Sequence, residues 1–205
     1  MSESGSLFII SAPSGAGKTS LVTALMKEIS GVSASVSYTT RPPRVGEQDG
    51  QHYHFVDHNE FKEMLNKHIF LEHAEVFGHF YGTSRQHVAE KRAQGLDVIL
   101  EIDWQGARQI RAHFVDAISI FILPPSREVL LERLHKRHQD NEKVIQIRMK
   151  EASEEILRWA EYDYLIYNDK FDEALRDLKA IVRSTRLTLR SQRESRGALI
   201  QKLLS

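Results

Sequence analysis

The chain has 205 residues, of which 41% are hydrophobic and 27% are charged, and 28 basic side chains balance 28 acidic ones. This length and hydrophobic content suit one globular domain with a sizeable core. A neutral overall charge gives no general reason to expect binding to nucleic acid. The lack of cysteine excludes disulfides and thiolate metal sites, and it is typical of a reducing compartment.

Two further features of the sequence favour a cytoplasmic protein. Residues 1–6 are polar and lack the basic, apolar and small-residue blocks of a secretory signal. No apolar run approaches the length of a membrane span. We therefore expect a cytoplasmic protein that binds neither a membrane nor nucleic acid.

The start of the chain predicts a strand, a phosphate-binding loop and a helix. The apolar run 7–10 indicates a buried strand, and the small-residue turn 11–17 leads into Lys18 and Thr19 before apolar residues recur at helical spacing. In such a loop, backbone N–H groups and the helix N-terminus surround phosphate oxygens. Lys18 is expected to reach the β- and γ-phosphates, and Thr19 to face Mg²⁺. The predicted ATP-binding residues here are Ala12, Pro13, Ser14, Gly15, Ala16, Gly17, Lys18, Thr19 and Ser20.

One position departs from the phosphate-loop signature G-x-x-x-x-G-K-[ST], because Ala12 stands where the pattern has glycine. Alanine is small enough for close approach to a phosphate but tolerates positive φ less well. The alternative is a chance Gly/Ser turn before an amphipathic helix. The apolar strand directly upstream favours the phosphate loop.

A change of composition after the first helix predicts an inserted subdomain, which we define as residues 37–90. Its predicted elements, with the strand that leads into it, are a strand at 34–38, a polar loop at 39–50, a strand at 52–56, a helix capped by Asp57 or Asn59 and ending near Asn66, short strands within 70–84, and a helix at about 84–93.

The rest of the chain predicts a parallel α/β sandwich, because near-continuous apolar strands alternate with helices. The predicted elements are strands at 97–103, 117–123 and 164–167, and helices at 105–113, from Ser126, at about 142–162, and over the remainder. We expect one domain, with a core made of residues 1–36, 91–125 and 159–205, the inserted subdomain, and a helical lid at 126–158.

Asp103 ends the predicted strand at 97–103, at the sheet edge where ligands of open α/β sheets bind. It can orient Mg²⁺ beside Thr19, directly or through water. It can also cap the helix that begins near Gln105. The residues around Asp103 favour neither the metal-binding role nor the capping role. The phosphate loop upstream favours metal binding.

Residues 103–106 also spell the D-x-x-G pattern of GTPases, which is the main competing interpretation. GTPases read guanine with an Asn/Thr-Lys-x-Asp stretch late in the chain. The only Asn-Lys pair, at 66–67, is followed by His68 and Ile69, and 164–170 does not supply the missing acid. The GTPase interpretation is therefore a minor alternative.

Arginines in polar segments can supply the positive charge that phosphoryl transfer requires. Arg41 and Arg44 flank two prolines, Arg133 and Arg137 lie four residues apart on one helix, and Arg148 belongs to the next helix. A single arginine of this kind is most often a solvated surface charge. A phosphate loop in the same chain makes a catalytic role for these arginines more plausible. The transition state of phosphoryl transfer spreads negative charge over three oxygens, and arginines are its usual counter-charge.

Six segments together resemble the guanylate kinase family. They lie at 11–18, 35–47, 50–56, 70–72, 81–83 and 102–106, in the family's order, and none is a common pattern. The resemblance covers residues 7 to about 183 and implies a P-loop NTPase-like parallel sheet sandwiched by helices, with an inserted subdomain that binds a nucleoside monophosphate.

The resemblance implies a GMP site within the inserted subdomain. Arg41, Arg44, Tyr53 and Tyr81 match the family's ligands of the GMP phosphate, and Glu101 matches an acidic position near bound GMP where some relatives have aspartate.

The base is read by a second group of matched residues. Glu72 matches the acid that accepts from guanine N1–H and the 2-amino group, while Ser37 and Thr83 match hydroxyls that face O6. Guanine offers two adjacent donors and one acceptor, so a carboxylate beside a hydroxyl rejects adenine.

On the ATP side, Arg133, Arg137 and Arg148 match the family's lid and transfer-site arginines, and Asn168 matches a residue near adenine. The lid departs from the family pattern at His138, where many relatives have glycine, and at Ile147, where the residue is usually more basic. These departures concern the flexibility of the lid.

The reaction implied is reversible transfer of the ATP γ-phosphoryl group to GMP, and also to dGMP, with Mg²⁺ bound near Thr19 and Asp103. The acceptor is already an anionic oxygen, so neither a general base nor a phospho-enzyme is expected, and catalysis rests on positioning and charge neutralisation. The implied catalytic residues are Lys18, Arg41, Arg133, Arg137 and Arg148. The alternatives are a kinase for another nucleoside monophosphate and a non-catalytic binding module, in which the phosphate loop is typically lost.

The C-terminal helix carries a row of arginines from Arg183 to Arg196 and an apolar end that includes Leu203 and Leu204. A solvated basic face is favoured over binding to nucleic acid. The apolar end packs either on the core or on another subunit of a homo-oligomer, and the sequence leaves both open.

Overall fold

The computed structural model describes residues 4–136 and 142–205, and leaves out the side chains of residues 142 and 143. The strands in these residues are β1 (Leu7–Ser11), β2 (Val32–Ala34), β3 (Tyr38–Thr39), β4 (His54–Phe55), β5 (Phe70–Val76), β6 (His79–Ser84), β7 (Asp97–Glu101), β8 (Ile118–Leu123) and β9 (Tyr164–Tyr167). The helices are α1 (Lys18–Glu28), α2 (His58–Asn66), α3 (Arg85–Ala93), α4 (Trp104–His113), α5 (Arg127–Lys136), α6 (Glu142–Ile156), α7 (Phe171–Arg186) and α8 (Leu189–Leu204).

Five parallel strands form the central sheet, in the order β2-β7-β1-β8-β9. Alternate residues of β1 face two different cores: Phe8 and Ile10 pack with α1 and α7, whereas Leu7 and Ile9 pack with α3 and α4. This explains the unbroken apolar run of β1, since a parallel sheet covered on both faces buries every side chain. The predicted α/β sandwich is therefore confirmed.

A second sheet, β4-β3-β6-β5, lies within residues 37–90 and shares no strand with the central sheet. The hairpin β5–β6 is antiparallel. Phe61 of α2 stacks on Phe70 and Phe80, with ring centroids 4.5 and 5.5 Å apart, so the helix and the sheet share a small aromatic core. This sheet and α2 lie within the predicted inserted subdomain, whereas α3, which begins at Arg85 inside the predicted range, packs on the central sheet through Val88.

The prediction of one strand at 34–38 is wrong. β2 ends at Ala34 in the central sheet and β3 begins at Tyr38 in the second sheet. Between them the chain stays hydrogen-bonded, since Ser35 donates its N–H to the carbonyl of Ile99 and Ser37 accepts from the N–H of His54. The strand-like alternation of side chains at 34–38 therefore continues through the segment that connects β2 in the central sheet with β3 in the second sheet.

Two predicted helices also end earlier than expected. α6 ends at Ile156 and a 3₁₀ turn at Trp159–Glu161 follows, instead of one helix to Tyr162. The C-terminal helix is two helices, because Thr188 caps α8 after α7 has ended. Both breaks lie at exposed apolar residues, Leu157 and Leu187, which continue the apolar pattern of the sequence without being buried.

The predicted N-caps of two helices are confirmed. Asp57 accepts from the N–H groups of Asn59 and Glu60 at the start of α2, and Ser126 accepts from the N–H of Val129 at the start of α5. Arg137 and His138 of the lid lie outside the described residues. No described helix is both long enough and apolar enough to cross a membrane.

Candidate active site

A cleft of about 630 Å³ opens at the carboxyl edge of the central sheet, between the phosphate loop (residues 11–19) and the second sheet. It brings together most of the predicted site residues from four separate parts of the chain. Those that line it are Ala12, Pro13, Ser14, Gly15, Gly17, Lys18, Thr19, Ser37, Arg41, Arg44, Tyr53, Glu72, Tyr81, Glu101, Asp103 and Arg148. The predicted residues outside this lining are Ala16, Ser20, Thr83, Arg133 and Asn168.

The phosphate loop owes its shape to two glycines. Gly15 and Gly17 both have φ of 95°, which side chains other than glycine's rarely adopt, and Gly17 immediately precedes α1. A Cβ at Gly17 would also lie 2.4 Å from the side-chain nitrogen of Asn168. Ala12 is not among the residues with positive φ, so the departure from the signature glycine imposes no strain on this loop.

Asn168 and Arg133 stabilise the phosphate loop through hydrogen bonds to backbone carbonyls. The buried Asn168 amide donates to the carbonyl of Ala16 at 2.6 Å, and Arg133 donates to the same carbonyl at 3.4 Å and to the Asn168 carbonyl at 3.0 Å. In this structure, therefore, both residues contact the backbone of the loop and do not line the cleft.

Oxygen ligands gather at the N-terminus of α1. The hydroxyl of Thr19 donates to Glu101 Oε2 at 2.9 Å. Asp103 accepts from the Gly106 N–H and from the Gln105 amide, each at 3.0 Å, so it does cap α4. A hydroxyl and two carboxylates suit a hard cation such as Mg²⁺, which commonly takes only one or two carboxylates together with substrate phosphates. Among the described residues, no cluster of three acidic, His or Cys ligands is found.

Glu47 organises the two arginines of the inserted subdomain. Arg41 donates to both Glu47 oxygens, at 2.8 and 2.9 Å, and Glu47 also accepts from the Arg44 N–H at 2.8 Å. Burial raises the pKa of Glu47, but these bonds outweigh it and lower the pKa below its usual value. Glu47 was not predicted as a site residue, although an acid three residues after an arginine in a polar loop is a usable signal.

Tyr53 presents a phenol beside this arginine pair. Arg41 lies 5.4 Å from the centroid of its ring, and the ring of Tyr81 lies 5.9 Å away. Burial, with the proximity of Tyr81 and Glu101, raises the pKa of Tyr53 to about 12. The phenol therefore stays protonated at neutral pH and can donate to an anion.

Glu72 forms a buried acidic pocket with two hydroxyls. Its side chain is 3% exposed, Thr83 donates to its Oε1 at 2.5 Å, and the Ser37 and Thr83 hydroxyls are 3.2 Å apart. Burial raises the pKa of Glu72 to about 7, despite the opposing effect of the Thr83 hydrogen bond. Gly106 closes the pocket, because a Cβ there would lie 2.3 Å from Glu72 Oε2.

Helix α6, which lies within the predicted lid, reaches the cleft through two side chains. The guanidinium of Arg148 lies 5.7 Å from the ring centroid of Phe77, at the β5–β6 turn. Glu155 lines the cleft together with Ser14 of the phosphate loop. Burial raises the pKa of Glu155 to about 7, with Lys18 acting in the opposite direction. Sequence reasoning missed Glu155, because an acid in a polar helix predicts only a solvated face.

The comparisons with known proteins agree with this geometry. A sequence profile described as guanylate kinase matches residues 4–185. Guanylate kinases from Escherichia coli O157:H7 and from Salmonella typhimurium are each 56% identical to the chain over 203 residues, covering 98% of both sequences. The chain belongs to the guanylate kinase family. A crystal structure of guanylate kinase from Anaplasma phagocytophilum superposes with a TM-score of 0.77 at 33% identity, over 95% of this chain and 96% of that one.

The buried acids of this family member predict how its stability depends on pH. A folded-state pKa raised to about 7 for Glu72 means that the native state binds its proton more tightly than the unfolded state does. Stability of the ligand-free protein should therefore fall as the pH rises from about 4.5 to 7, by about 1–3 kcal/mol from this group.

Urea unfolding between pH 5 and 8 checks this dependence. Glu72→Gln removes the titration, so its stability relative to the wild type should rise across this interval. Parallel stability curves for the two proteins would contradict the prediction.

Proposed function

We propose that this chain catalyses reversible transfer of the γ-phosphoryl group of ATP to the 5′-phosphate of GMP, giving ADP and GDP. The observation that carries the proposal is the single cleft, which joins a complete phosphate loop to the Glu72 pocket. The arginine pair organised by Glu47 belongs to the same lining. A donor site and a guanine-reading acceptor site thus share one cavity, as direct transfer requires.

On the donor side, the backbone N–H groups of the phosphate loop and the N-terminus of α1 bind the ATP phosphates. Lys18 neutralises charge on the phosphoryl group in transit. Thr19 and Asp103 would hold Mg²⁺, Asp103 directly or through water, and the ion would neutralise charge on the ATP phosphates. Asn168 and Arg133 maintain the geometry of the loop through their hydrogen bonds to the Ala16 carbonyl.

On the acceptor side, Arg41, Arg44, Tyr53 and Tyr81 bind the GMP phosphate as donors. Arg41 is held in place by Glu47, so little conformational entropy remains to be lost when the phosphate binds. The acceptor oxygen is already anionic and attacks in line without a general base.

The Glu72 pocket reads the base. Its carboxylate accepts from guanine N1–H and the 2-amino group, and the hydroxyls of Ser37 and Thr83 face O6. Adenine would present an unprotonated ring nitrogen to that carboxylate and leave it without a donor, which costs far more than the loss of one good contact.

The inserted subdomain and the lid close over the core in the proposed cycle. Closure excludes water that would otherwise hydrolyse ATP, and it brings Arg148 toward the transferring group. The contact between Arg148 and Phe77 supports this, because it already links the lid to the inserted subdomain.

A coupled assay of ADP release tests the function. With ATP and Mg²⁺, GMP should be turned over at least about 10³-fold more efficiently than AMP or UMP, since a site built for hydrogen bonding rejects analogues that leave its polar groups unpaired. Chelation of Mg²⁺ should abolish turnover. Binding of GMP without ADP release would instead favour a non-catalytic binding module.

Gly106→Ala tests whether the Glu72 pocket binds GMP, because it adds a methyl group next to the Glu72 carboxylate. The added Cβ would lie 2.3 Å from Glu72 Oε2 and 3.0 Å from Glu72 Cδ, and the Thr83 hydrogen bond restrains the carboxylate. The displaced carboxylate should raise the KM for GMP about tenfold and leave that for ATP unchanged. Gly197→Ala in α8 is the control, because nothing lies within 4 Å of its added Cβ. Equal KM values for GMP in the two variants would rule out this role of Gly106.

A further inference from the structure

The outer edge of β5 is bound by glutamine side chains of α4 instead of by a strand. β5 comes last in the order of the second sheet, so its outer row of backbone N–H and C=O groups faces no other strand of that sheet. At His73 the Gln109 amide takes the place of a strand. Its oxygen accepts from the His73 N–H at 3.1 Å, and its nitrogen donates to the His73 carbonyl at 2.6 Å. Gln109 therefore pairs with both backbone groups of one residue, as a peptide unit would.

Gln105 makes a second contact of this kind, one turn earlier on α4. Its amide nitrogen donates to the Glu75 carbonyl at 3.3 Å and to Asp103 Oδ2 at 3.0 Å. Residues four apart on a helix lie about 6 Å apart along its axis, and residues two apart on a strand lie about 6.7 Å apart. Because these spacings are similar, α4 binds His73 and Glu75 together. A shift of β5 by one residue would turn both sets of backbone groups away from the helix.

This register places Glu72 in its pocket. Glu72 immediately precedes His73 on β5, and its side chain is buried whereas that of His73 is exposed. Gly106, between the two glutamines in the sequence, permits the close approach, since an added Cβ would lie 2.3 Å from Glu72 Oε2. Glycine has no side chain that could restrain the strand. Gln109 supplies that restraint from a position outside the lining of the cleft.

We propose that Gln109 is a positioning residue for guanine recognition, which fixes β5 against α4 and thereby holds the Glu72 carboxylate where the base binds. The inference rests on the proposed function, because it assumes that Glu72 reads guanine. A carboxylate that accepts from two adjacent donors tolerates little displacement. The hydrogen bonds of Gln109 go to His73 and to the Gln105 carbonyl, so its loss leaves the contacts of the phosphate loop in place.

Gln109→Leu removes both polar groups and keeps the approximate size of the side chain. We expect the KM for GMP to rise about 3- to 10-fold, because β5 loses two hydrogen bonds that fix Glu72. The KM for ATP, and kcat at saturating substrates, should stay within about twofold of the wild type. Arg111→Leu is the control, since Arg111 is an exposed residue of the same helix, and it should leave both KM values unchanged. Thermal unfolding verifies that the variants fold.

A double-mutant cycle with Glu72→Gln separates positioning from a general structural effect. Gln109→Leu should lower the ratio of kcat/KM for GMP to that for AMP about 3- to 10-fold in the wild type, but less than about twofold once Glu72 has been replaced. Equal losses in the two backgrounds, an unchanged KM for GMP, or an equal rise in the KM for ATP would overturn the role of Gln109 and leave the proposed function intact. A wild type that does not prefer GMP to AMP overturns both.

Gln109→Asn gives a second measurement that does not depend on the folding of the leucine variant. Asparagine keeps both amide groups but withdraws them from His73 by one methylene. Its KM for GMP should therefore lie between those of the wild type and Gln109→Leu, with the KM for ATP unchanged. A wild-type KM for GMP in the asparagine variant would contradict the need for hydrogen bonds at this distance.

Discussion

Lys18→Ala is expected to lower kcat for ADP and GDP formation by about 10³-fold. Lys18 begins α1 at the phosphate loop and lines the cleft, where it faces the acids Glu72 and Glu155. The loss should exceed any effect on GMP binding, because the charge on the transferring phosphoryl group grows in the transition state. Removal of a single preorganised charge of this kind typically costs 10²- to 10³-fold or more.

Single-turnover measurements with saturating ATP and GMP check this prediction, since they separate chemistry from product release. Lys27→Ala is the matched control, because Lys27 lies on the same helix but is exposed in its last turn. It should leave kcat within about twofold of the wild type. Near-normal turnover in Lys18→Ala would remove Lys18 from the transfer step.

The elements that determine where the site lies were predictable, because their apolar patterns are strong. The buried runs of β1 and β7 and the apolar spacing of α1 follow from burial on one or both sides. Prediction failed where the chain leaves one sheet for another while apolar and polar residues keep alternating. Residues 35–37 pass in this way from the central sheet to the second sheet. It also failed at the ends of α6 and α7, where exposed apolar residues, Leu157 and Leu187, give no signal of a boundary in the sequence.

Most of the site could be predicted because its residues lie in short segments with distinctive patterns. Glu47 was missed although its contacts with Arg41 and Arg44 are local, whereas two other missed residues act through contacts across long sequence separations. Gly106 matters because a carboxylate 34 positions earlier packs against it, and Glu155 because α6 returns to the cleft that the phosphate loop also lines. Neither contact leaves a local pattern, so only the folded chain reveals it.

Asp103 shows how two interpretations of one residue can both hold. Its two oxygens accept from the Gly106 N–H and the Gln105 amide, which makes it the N-cap of α4. A carboxylate oxygen accepts more than one hydrogen bond, so the cap leaves lone pairs for a metal-bound water. The cap also places the start of α4, and with it Gly106, against Glu72. The proposed metal ligand Asp103 and the glycine beside the proposed base-reading Glu72 therefore lie in a single turn after β7.

Glu72→Gln is expected to lower kcat/KM for GMP by about 10- to 10²-fold and to reduce the preference for GMP over AMP. The glutamine carries one acceptor and an amide donor, so it loses the charged partner of guanine N1–H and the 2-amino group. Hydrogen bonds to a charged group contribute about 1.5–3 kcal/mol, and each 1.4 kcal/mol is a factor of ten. AMP should gain or stay unchanged, because the amide can donate to adenine N1.

Steady-state kinetics with GMP and AMP as acceptors, at saturating ATP, measure this change. Glu75→Gln is the control, because Glu75 lies on the same strand, β5, with an exposed side chain. The KM for ATP should be the same in both variants and in the wild type, since the Glu72 pocket lies on the acceptor side. An unaltered ratio of GMP to AMP turnover in Glu72→Gln would mean that another group reads the base. The hydroxyls of Thr83 and Ser37 would then be the next candidates, because they adjoin the same carboxylate.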